Sequence, residues 1–512
     1  MSAATSIARI GVAGAGTMGA GIAQVSAVAG IDTVLYDPVA GAAAGGSERV
    51  RGALARGVER GRLSAQEASA AMARLRTTER LDDLADRDLV IEAAPEDLAL
   101  KLAAFGELDV VCAAEAVLAT NTSSLAVTAI AGAASRPERV VGMHFFNPVP
   151  AMRLAEVIPA AQTADATVAT AVALARRLGK QPIVATDSTG FLVNRCGRPF
   201  YAEALRIVTE RIATPEQVDR ICRLGGGFRM GPFELMDLVG IDVGLAVMES
   251  FAAGSFGEPR WRPSPLQARL VAAGRLGRKT GRGWYAYDAG PHRAEDPPSP
   301  ATEPGRLMLR VEGAGPVAAR VRALAVDAGI ELVAEPGAPL LLADEAASAP
   351  AGGASLRLRS CDAASLTGHG DPSAVGFCLA AGPEAGRLVE IGATRVTSAA
   401  HLAEAQRVFA ALGLQVERVA DGPGLVLARI VAQIVNEACF AAGEGVGSAQ
   451  EIDTGATLGL GYPRGPMAWG AQLGFERVLA TIDALWDERR EERHRPAPLL
   501  REAALTGVVG DA

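Results

Sequence analysis

One block of this sequence occurs twice at a fixed interval, and that repetition limits the possible folds more than any single motif. GMHFFNPVPAMRLAEVI at 142–158 lines up with GFCLAAGPEAGRLVEIG at 376–392, 234 residues later. The same interval pairs Asp187 with Asp421, Gly190 with Gly424, Arg195 with Arg429, Glu203 with Glu437 and Asp219 with Asp453. It also carries Gly231-Pro232 onto Gly465-Pro466. An interval held without gaps over about a hundred residues implies that both halves build the same unit. A chain of 512 residues has room for several domains, so a duplicated two-domain unit fits its length.

The first copy opens with RIGVAGAGTMGAGIAQVSAVAGIDTVLYDP at 9–38. Arg9 to Val12 predict a strand, residues 22–30 a short helix, and Thr33 to Tyr36 a second strand ending at Asp37. Gly14, Gly16 and Gly19 fall between strand and helix with G-x-G-x-x-G spacing, the order of a dinucleotide site. The loop of Gly14, Gly16, Thr17, Met18 and Gly19 is expected to receive a pyrophosphate at the helix N-terminus, where unpaired N–H groups and the dipole favour negative charge. Asp37 is placed to accept hydrogen bonds from the adenosine ribose, and an acid there repels a 2′-phosphate. The expected cofactor is therefore NAD. A weaker echo, EGAGPVAARVRALAVDAGIELVAEP at 312–336, sets Gly313 and Gly315 against Gly14 and Gly16 at an interval of 299. The two intervals, 299 and 234, make the second nucleotide-type domain 65 residues shorter than the first.

Between these landmarks the chain alternates strand and helix. Residues 41–80 predict a pair of helices with a turn at Gly61 and a cap at Ser64 answered by Glu67. Strands are predicted at 88–93, 116–121, 139–146, 154–158 and 182–185, with a helix over 165–180. The polar residues follow the C-terminal ends of strands, where open α/β sheets bind ligands. From Asp187 onward the pattern is helical, closing with KTGRGWYAY at 279–287. The expected class is α/β: a Rossmann-type NAD domain at 1–186, a helical domain at 187–288, a Pro- and charge-rich linker at 289–305, a degenerate Rossmann-like domain at 306–418 and a second helical domain at 419–512.

Composition removes several alternatives. An apolar share of 49% beside 21% charged residues is that of a soluble enzyme, and apolar runs break before reaching membrane-spanning length. A net charge of −8 argues against a nucleic-acid partner. Five histidines and six cysteines without CxxC spacing predict neither a metal site nor a disulfide framework, so the thiols are read as reduced and the protein as cytoplasmic. No secretory leader is evident at the N-terminus.

Oxidising an alcohol with NAD requires a base for the hydroxyl proton and polar groups at the reacting oxygen. His144, at the end of a predicted strand, suits the base, and Glu156 lies on the next extended segment, within reach across the turn at Asn147 to Pro150. A carboxylate on one ring nitrogen fixes the tautomer and stabilises the imidazolium. Ser123 and Asn194 are candidate donors to the substrate oxygen. Plainer readings stand beside these: a packed or surface histidine, and a Ser123 that caps the following helix. In the second half His144 is replaced by Cys378, Asn147 by Ala381, Asn194 by Ala428 and Gly19 by Ala318, and NTSSL has no evident counterpart. Only Glu156 persists, as Glu390, so the second half reads as scaffold.

AGTMGAGIA, NTSSL, GMHFFNPVPAMRLAEV, DSTGFLVNR and GPFELMDLVGID together resemble the L-3-hydroxyacyl-CoA dehydrogenase family, over residues 7 to about 287. The resemblance implies a helical domain of the 6-phosphogluconate-dehydrogenase type, His144 as base, Glu156 as its partner, and Ser123 and Asn194 as substrate-oxygen ligands. It also implies that Glu96, Lys101, Asn121 and Asn147 lie near the nicotinamide and catalytic pair, and that the inserted helices grip coenzyme A through some of Arg49, Arg51, Arg56, Arg60 and Arg62. The longer chain is similar to bacterial members of phenylacetate breakdown that oxidise 3-hydroxyadipyl-CoA; 3-hydroxybutyryl-CoA or general β-oxidation substrates are the alternative. Shorter members pair through their helical domains, so either a homodimer or a pseudo-dimeric monomer is implied. A 6-phosphogluconate-like or 3-hydroxyisobutyrate-like activity would use a lysine in the helical domain, and HFFNP with Glu156 argues against it.

Overall fold

The computed structural model describes residues 7–288, 290–296, 307–334, 338–343, 356–380 and 386–509. They form two compact units, Met1–Arg195 with Gly445–Leu460 and Cys196–Glu444 with Gly461–Ala512.

The first unit is built on β1 (Arg9–Ala13), α1 (Thr17–Val28), β2 (Asp32–Tyr36), α2 (Ala42–Glu59), α3 (Ala65–Arg74), β3 (Leu75–Thr78), β4 (Leu89–Glu92), α4 (Leu98–Val111), β5 (Val117–Thr120), α5 (Val127–Ala131), β6 (Val140–Phe145), β7 (Leu154–Pro159), α6 (Asp165–Arg177) and β8 (Gln181–Val184). The strands make one sheet in the order β3-β2-β1-β4-β5-β6-β7-β8. All neighbours are parallel except β6 and β7. Strands β4, β5 and β6 are buried along their whole length, as expected of a sheet covered on both faces. Ile10, Val12, Ile22, Leu35, Ile91, Met143, Val157 and Leu174 join one apolar core. Strand order reverses at β1, between β2 and β4, which opens a crevice at the carboxyl ends of those strands.

Two departures from the sequence reading have simple causes. Helix α1 begins at Thr17 and ends at Val28, rather than covering 22–30. Gly19, Ala20 and Gly21 carry no apolar stripe to read, yet their smallness lets the helix sit close: a Cβ on Gly21 would lie 2.9 Å from the Val149 Cβ. The predicted helical pair at 41–80 also ends early, because Leu75–Thr78 joins the sheet edge as β3. Ser64 and Glu67 do form the reciprocal cap of α3.

The second unit begins within α7 (Val193–Thr209), at Cys196, and continues with α8 (Pro215–Arg220), a π-helical turn at Ile221–Gly225, α9 (Pro232–Val239), α10 (Ile241–Gly254) and α11 (Pro265–Ala272), the first helical set. Its polar landmarks are structural. Asp219 accepts from the N–H groups of Phe233 (2.9 Å) and Glu234 (2.8 Å) at the start of α9, and from the Tyr285 hydroxyl (2.7 Å). Burial pushes its carboxyl up to about 7 against the pull of those hydrogen bonds. Asp237 accepts from Trp284 N–H and Tyr285 N–H, which anchors the KTGRGWYAY segment. The predicted linker lies mostly outside the described residues. Its described part, 290–296, is pinned rather than loose: Asp296 pairs with Arg223 at 2.7 Å and His292 with Glu234 at 2.6 Å.

The rest of the second unit repeats this plan. It contains β9 (Met308–Glu312), α12 (Pro316–Asp327), β10 (Glu331–Leu332), β11 (Leu340–Leu342), β12 (Arg357–Ser360), β13 (Val375–Leu379), β14 (Leu388–Ala393), α13 (Ala399–Ala411), β15 (Gln415–Ala420), α14 (Leu427–Gly443), α16 (Pro466–Leu473), α17 (Phe475–Arg489) and α18 (Pro498–Thr506). Helix α15 (Ala449–Gly455) and a π-helical turn at Ala456–Leu460 belong instead to the first unit. The second sheet runs β10-β9-β11-β12-β13-β14-β15, the order of the first without its β3 edge, and β13 and β14 are again the antiparallel pair. The strand order also supplies what the interval could not. Cys361 to Leu366 follow β12 as Asn121 to Leu125 follow β5, so this is the counterpart of NTSSL. Ala381 lies outside the described residues.

Among the described residues no helix is long and apolar enough to cross a membrane, no metal-binding cluster occurs, and all six cysteines are buried and unbridged.

Candidate active site

The glycine loop joins β1 to α1 at the crevice. Gly14 has φ +110°, and a Cβ there would meet the Ala93 carbonyl oxygen at 2.6 Å. A Cβ on Gly19 would come within 1.8 Å of the Gly14 carbonyl oxygen, so helix and loop pack through these two positions. Gly16 differs, since a Cβ there meets nothing within 4 Å. It caps α1 without a side-chain hydrogen bond, and no acidic residue stands in the first turn, where Thr17 and Met18 begin the helix. Open space thus lies over unpaired N–H groups, the arrangement that accepts a pyrophosphate. Asp37 follows β2 and holds the loop from below: one carboxylate oxygen accepts from Ala15 N–H (2.8 Å), the other from Val39 N–H (3.0 Å). Each oxygen retains acceptor capacity for a ribose hydroxyl.

The candidate catalytic pair lies on β6 and β7. Their antiparallel register sets His144 directly opposite Glu156. His144 Nδ1 and Glu156 Oε2 are 2.7 Å apart, and both residues are buried. The other carboxylate oxygen, Oε1, accepts from Leu192 N–H (3.1 Å) and Val193 N–H (2.9 Å) at the start of α7. A buried carboxylate with three hydrogen-bond partners is fixed in place and in turn fixes the imidazole. With Nδ1 taken, Nε2 is the nitrogen that can exchange a proton. The ring lies against Phe146 (centroids 4.4 Å) and Phe191 (6.0 Å).

The remaining expected residues form a second cluster after β4 and β5. Glu96 Oε1 accepts from Thr122 Oγ1 (2.7 Å), Ser123 N–H (2.8 Å), Ser124 N–H (2.9 Å), and the Ser123 and Ser124 hydroxyls (3.2 and 3.0 Å). Burial would raise its pKa, but the Thr122 hydroxyl, the Lys101 charge and the Ser123 and Ser124 donors hold it below the ordinary value. Asn194 Nδ2 donates to the Ser123 carbonyl at 3.2 Å, so Ser123 and Asn194 are brought together. Ser123 does not cap the next helix. Asp187 does, accepting from Val127 N–H (3.0 Å) and Thr128 N–H (2.7 Å). Asn121 Oδ1 accepts from Phe145 N–H at 2.9 Å and so locks the strand that carries His144. Asn147 is exposed on the turn after β6. Lys101 points inward: its ammonium is buried 2.7 Å from Glu92 Oε1 and 3.6 Å from Glu96 Oε2. Glu92 also accepts from Thr120 Oγ1 at 2.7 Å. Sequence reasoning missed Glu92, Thr122 and Asp187; the one available signal was a carboxylate ending the apolar strand LVIE.

The second half shows the same frame with different chemistry. Cys378 stands opposite Glu390, whose oxygens accept from Val426 N–H (2.8 Å) and Leu427 N–H (3.1 Å). Burial pushes the Glu390 carboxyl up to about 8 despite those two donors, and it pushes the Cys378 thiol well above its ordinary range.

Known proteins agree with this division. Residues 9–188 match the NAD binding domain of 3-hydroxyacyl-CoA dehydrogenase, and the C-terminal domain of the same enzyme matches twice, at 190–287 and at 424–512. The chain is 39% identical over 496 residues to the 3-hydroxyadipyl-CoA dehydrogenase of Escherichia coli (strain K12), covering 97% of each. It is 42% identical to a probable 3-hydroxybutyryl-CoA dehydrogenase of Bacillus subtilis (strain 168), over 55% of this chain and 98% of that one. A crystal structure of a 3-hydroxybutyryl-CoA dehydrogenase from Escherichia coli K12 substr. MG1655 superposes with a TM-score of 0.85 at 38% identity, covering 98% of this chain and 99% of the other. The chain therefore belongs to the 3-hydroxyacyl-CoA dehydrogenase family.

Proposed function

We propose that this chain oxidises (S)-3-hydroxyacyl-CoA to 3-oxoacyl-CoA with NAD, that His144 is the base, and that 3-hydroxyadipyl-CoA is its substrate. The observation that carries the chemistry is the buried 2.7 Å contact between His144 and Glu156. His144 Nε2 takes the proton of the 3-hydroxyl as that carbon becomes a carbonyl, and Glu156 stabilises the imidazolium left behind. NAD, when bound, supplies the acceptor for the hydride released from the same carbon. Ser123 and Asn194 stand together to steady the reacting oxygen. In the reverse direction the imidazolium returns its proton.

Gly16 is the sharpest probe of the cofactor seat. Its backbone is extended (φ −66°, ψ −166°), so valine is tolerated there, but the side chain would fill the open space over α1. Gly16→Val is expected to weaken NAD binding at least ~10-fold in a fluorescence titration, with a stability cost under about 1 kcal/mol. An unchanged NAD affinity would remove the loop from the cofactor site.

For the coenzyme A portion, Arg49, Arg56 and Arg60 share one side of α2 and its C-terminal cap, at near-integral helical turns. Arg49 is tied to the Ala15 carbonyl and Arg51 to Glu48. Arg56, Arg60 and Arg62 have no carboxylate partner among the described residues, and we assign the phosphates to this exposed set.

The adipyl assignment, and with it phenylacetate breakdown, rests on likeness to a relative of the same length and duplication. The shorter 3-hydroxybutyryl-CoA dehydrogenases that match the first half favour a second reading, a short neutral acyl chain. Buried, unbridged thiols suit a reducing compartment, which supports a cytoplasmic placement. A spectrophotometric NAD reduction assay across 3-hydroxybutyryl-, 3-hydroxyhexanoyl- and 3-hydroxyadipyl-CoA decides between the substrates. The highest kcat/KM is expected with the adipyl thioester, and preference for the butyryl thioester would overturn that assignment while leaving the chemistry.

A further inference from the structure

We propose that residues 445–460, contributed by the second half of the sequence, are a positioning element for the catalytic pair: they seat the backbone whose N–H groups hold Glu156. This rests on the reading of His144 and Glu156 given above. The donors to Glu156 Oε1 are the N–H groups of Leu192 and Val193. They follow Phe191, which has φ +49°, a conformation that a non-glycine residue keeps only when its surroundings hold it.

Those surroundings come from far along the chain. Thr186 donates its N–H to the Val446 carbonyl (3.0 Å) and its hydroxyl to the Gly445 carbonyl (2.7 Å). Glu451 Oε1 accepts from Val184 N–H at 3.0 Å, while its other oxygen accepts from Ser448 N–H at 2.9 Å. Between these latches the packing runs through glycines. A Cβ on Gly455 would lie 2.8 Å from Leu192 Cδ2 and 3.1 Å from Val193 Cγ2. One on Gly459 would lie 2.9 Å from both Leu154 Cδ2 and Val193 Cγ1. Leu154 opens the strand of Glu156, so this one surface touches both the strand that bears the carboxylate and the residues that hydrogen-bond it.

The arrangement is reciprocal. In the second unit, Ala420 donates its N–H to the Ile212 carbonyl at 2.8 Å, and a Cβ on Gly225 would lie 3.4 Å from Leu427 and 3.7 Å from Leu388. Leu427 is one of the two donors to Glu390, and Leu425, with φ +44°, repeats Phe191. The mirror copy repeats the hydrogen-bonded frame, with looser packing at Gly225 and no imidazole, and provides an internal control.

The test is steady-state kinetics of the full chain beside NAD titration. Gly459→Val is expected to lower kcat at least ~10-fold, with NAD affinity within about twofold of wild type. Removing the Val193 methyls in Gly459→Val/Val193→Ala leaves only the flexible end of Leu154 opposed and should bring kcat back to within about threefold, a rescue that general destabilisation does not produce. Gly225→Val, a milder change at the equivalent position of the mirror copy, should leave kcat unchanged. Should Gly459→Val fail to fold, Gly455→Ala carries the test with an expected two- to threefold loss of kcat, because its Cβ meets chiefly the end of a flexible leucine. Wild-type kcat in Gly459→Val (or in Gly455→Ala where that stands in), no relief from Val193→Ala, or an equal loss from Gly225→Val would each overturn the proposal. If His144→Ala stays active, the underlying catalytic reading fails instead; if it is inactive while the glycine variants are normal, only the positioning role fails.

Discussion

Replacing His144 by alanine is expected to slow NAD-dependent turnover by between ~10² and ~10⁴-fold, whereas the same change at Cys378 leaves turnover as it was. The two positions share a frame: each stands opposite a buried glutamate in an antiparallel strand pair, and each glutamate accepts two backbone N–H groups from the following helix. What differs at these two positions is the side chain able to exchange a proton. An imidazole can do so near neutral pH, but a thiol held protonated by burial and by the Asp362 charge cannot. The glycine loop is built on different strands, so His144→Ala should bind NAD normally. Steady-state kinetics with a fluorescence titration check both halves of the claim. Comparable losses from His144→Ala and Cys378→Ala would mean that the second half is catalytic.

The largest expected loss of stability comes from Arg429→Met. This guanidinium is fully buried on α14. It donates to both oxygens of Glu210 at 2.8 Å each and also bonds Glu203. Removing it leaves Glu203 as a buried charge with His494 Nε2 at 3.6 Å as the nearest remaining basic nitrogen. Breaking a buried ion pair on one side costs about 3–5 kcal/mol, readable as a fall in the urea midpoint followed by circular dichroism. A loss below about 1 kcal/mol would show that the network contributes little. The pH dependence has a definite sign. Burial alone would raise the Glu203 pKa, but Arg429, with His494 and Arg206, holds it far below the usual carboxylate range. Its contribution is therefore present above the unfolded value near 4.5 and is lost as pH falls below it. In Arg429→Met burial loses its main opposition, the folded carboxyl shifts upward, and the loss of stability on acidification should shrink.

Apart from the repeat at 234 residues, what could be read from the sequence was whatever short-range geometry dictates. His144 and Glu156 are joined by one tight turn, so period-two strands on either side bring them face to face. The Ser64–Glu67 cap is equally local. The start of α1 was hidden because glycine and alanine leave no periodic stripe, and β3 because four residues at a sheet edge carry little pattern. Lys101 shows a different limit. Its nearness to Glu96 is visible in sequence, but its burial against Glu92 depends on two neighbouring elements meeting. The counterpart of NTSSL was obscured because the repeat changes interval upstream of β13, and only strand order realigns Cys361 to Leu366. Nothing local places residues 445–460 against Leu192 and Val193, since that pairing is made by the tertiary fold alone.

The contact between Val184 and Glu451 spans 267 residues of sequence, and it bears on how the protein is made. Strand β8 is the outer edge of the first sheet, and the groups that meet its free side come from residues 445–460. During synthesis the N-terminal sheet therefore leaves the ribosome with that edge bare, a template for wrong pairing until the later segment emerges. At about 5–20 residues per second this interval lasts on the order of ten to fifty seconds. Closure of the first unit is therefore timed by the emergence of residues 445–460 rather than by that of β8 itself.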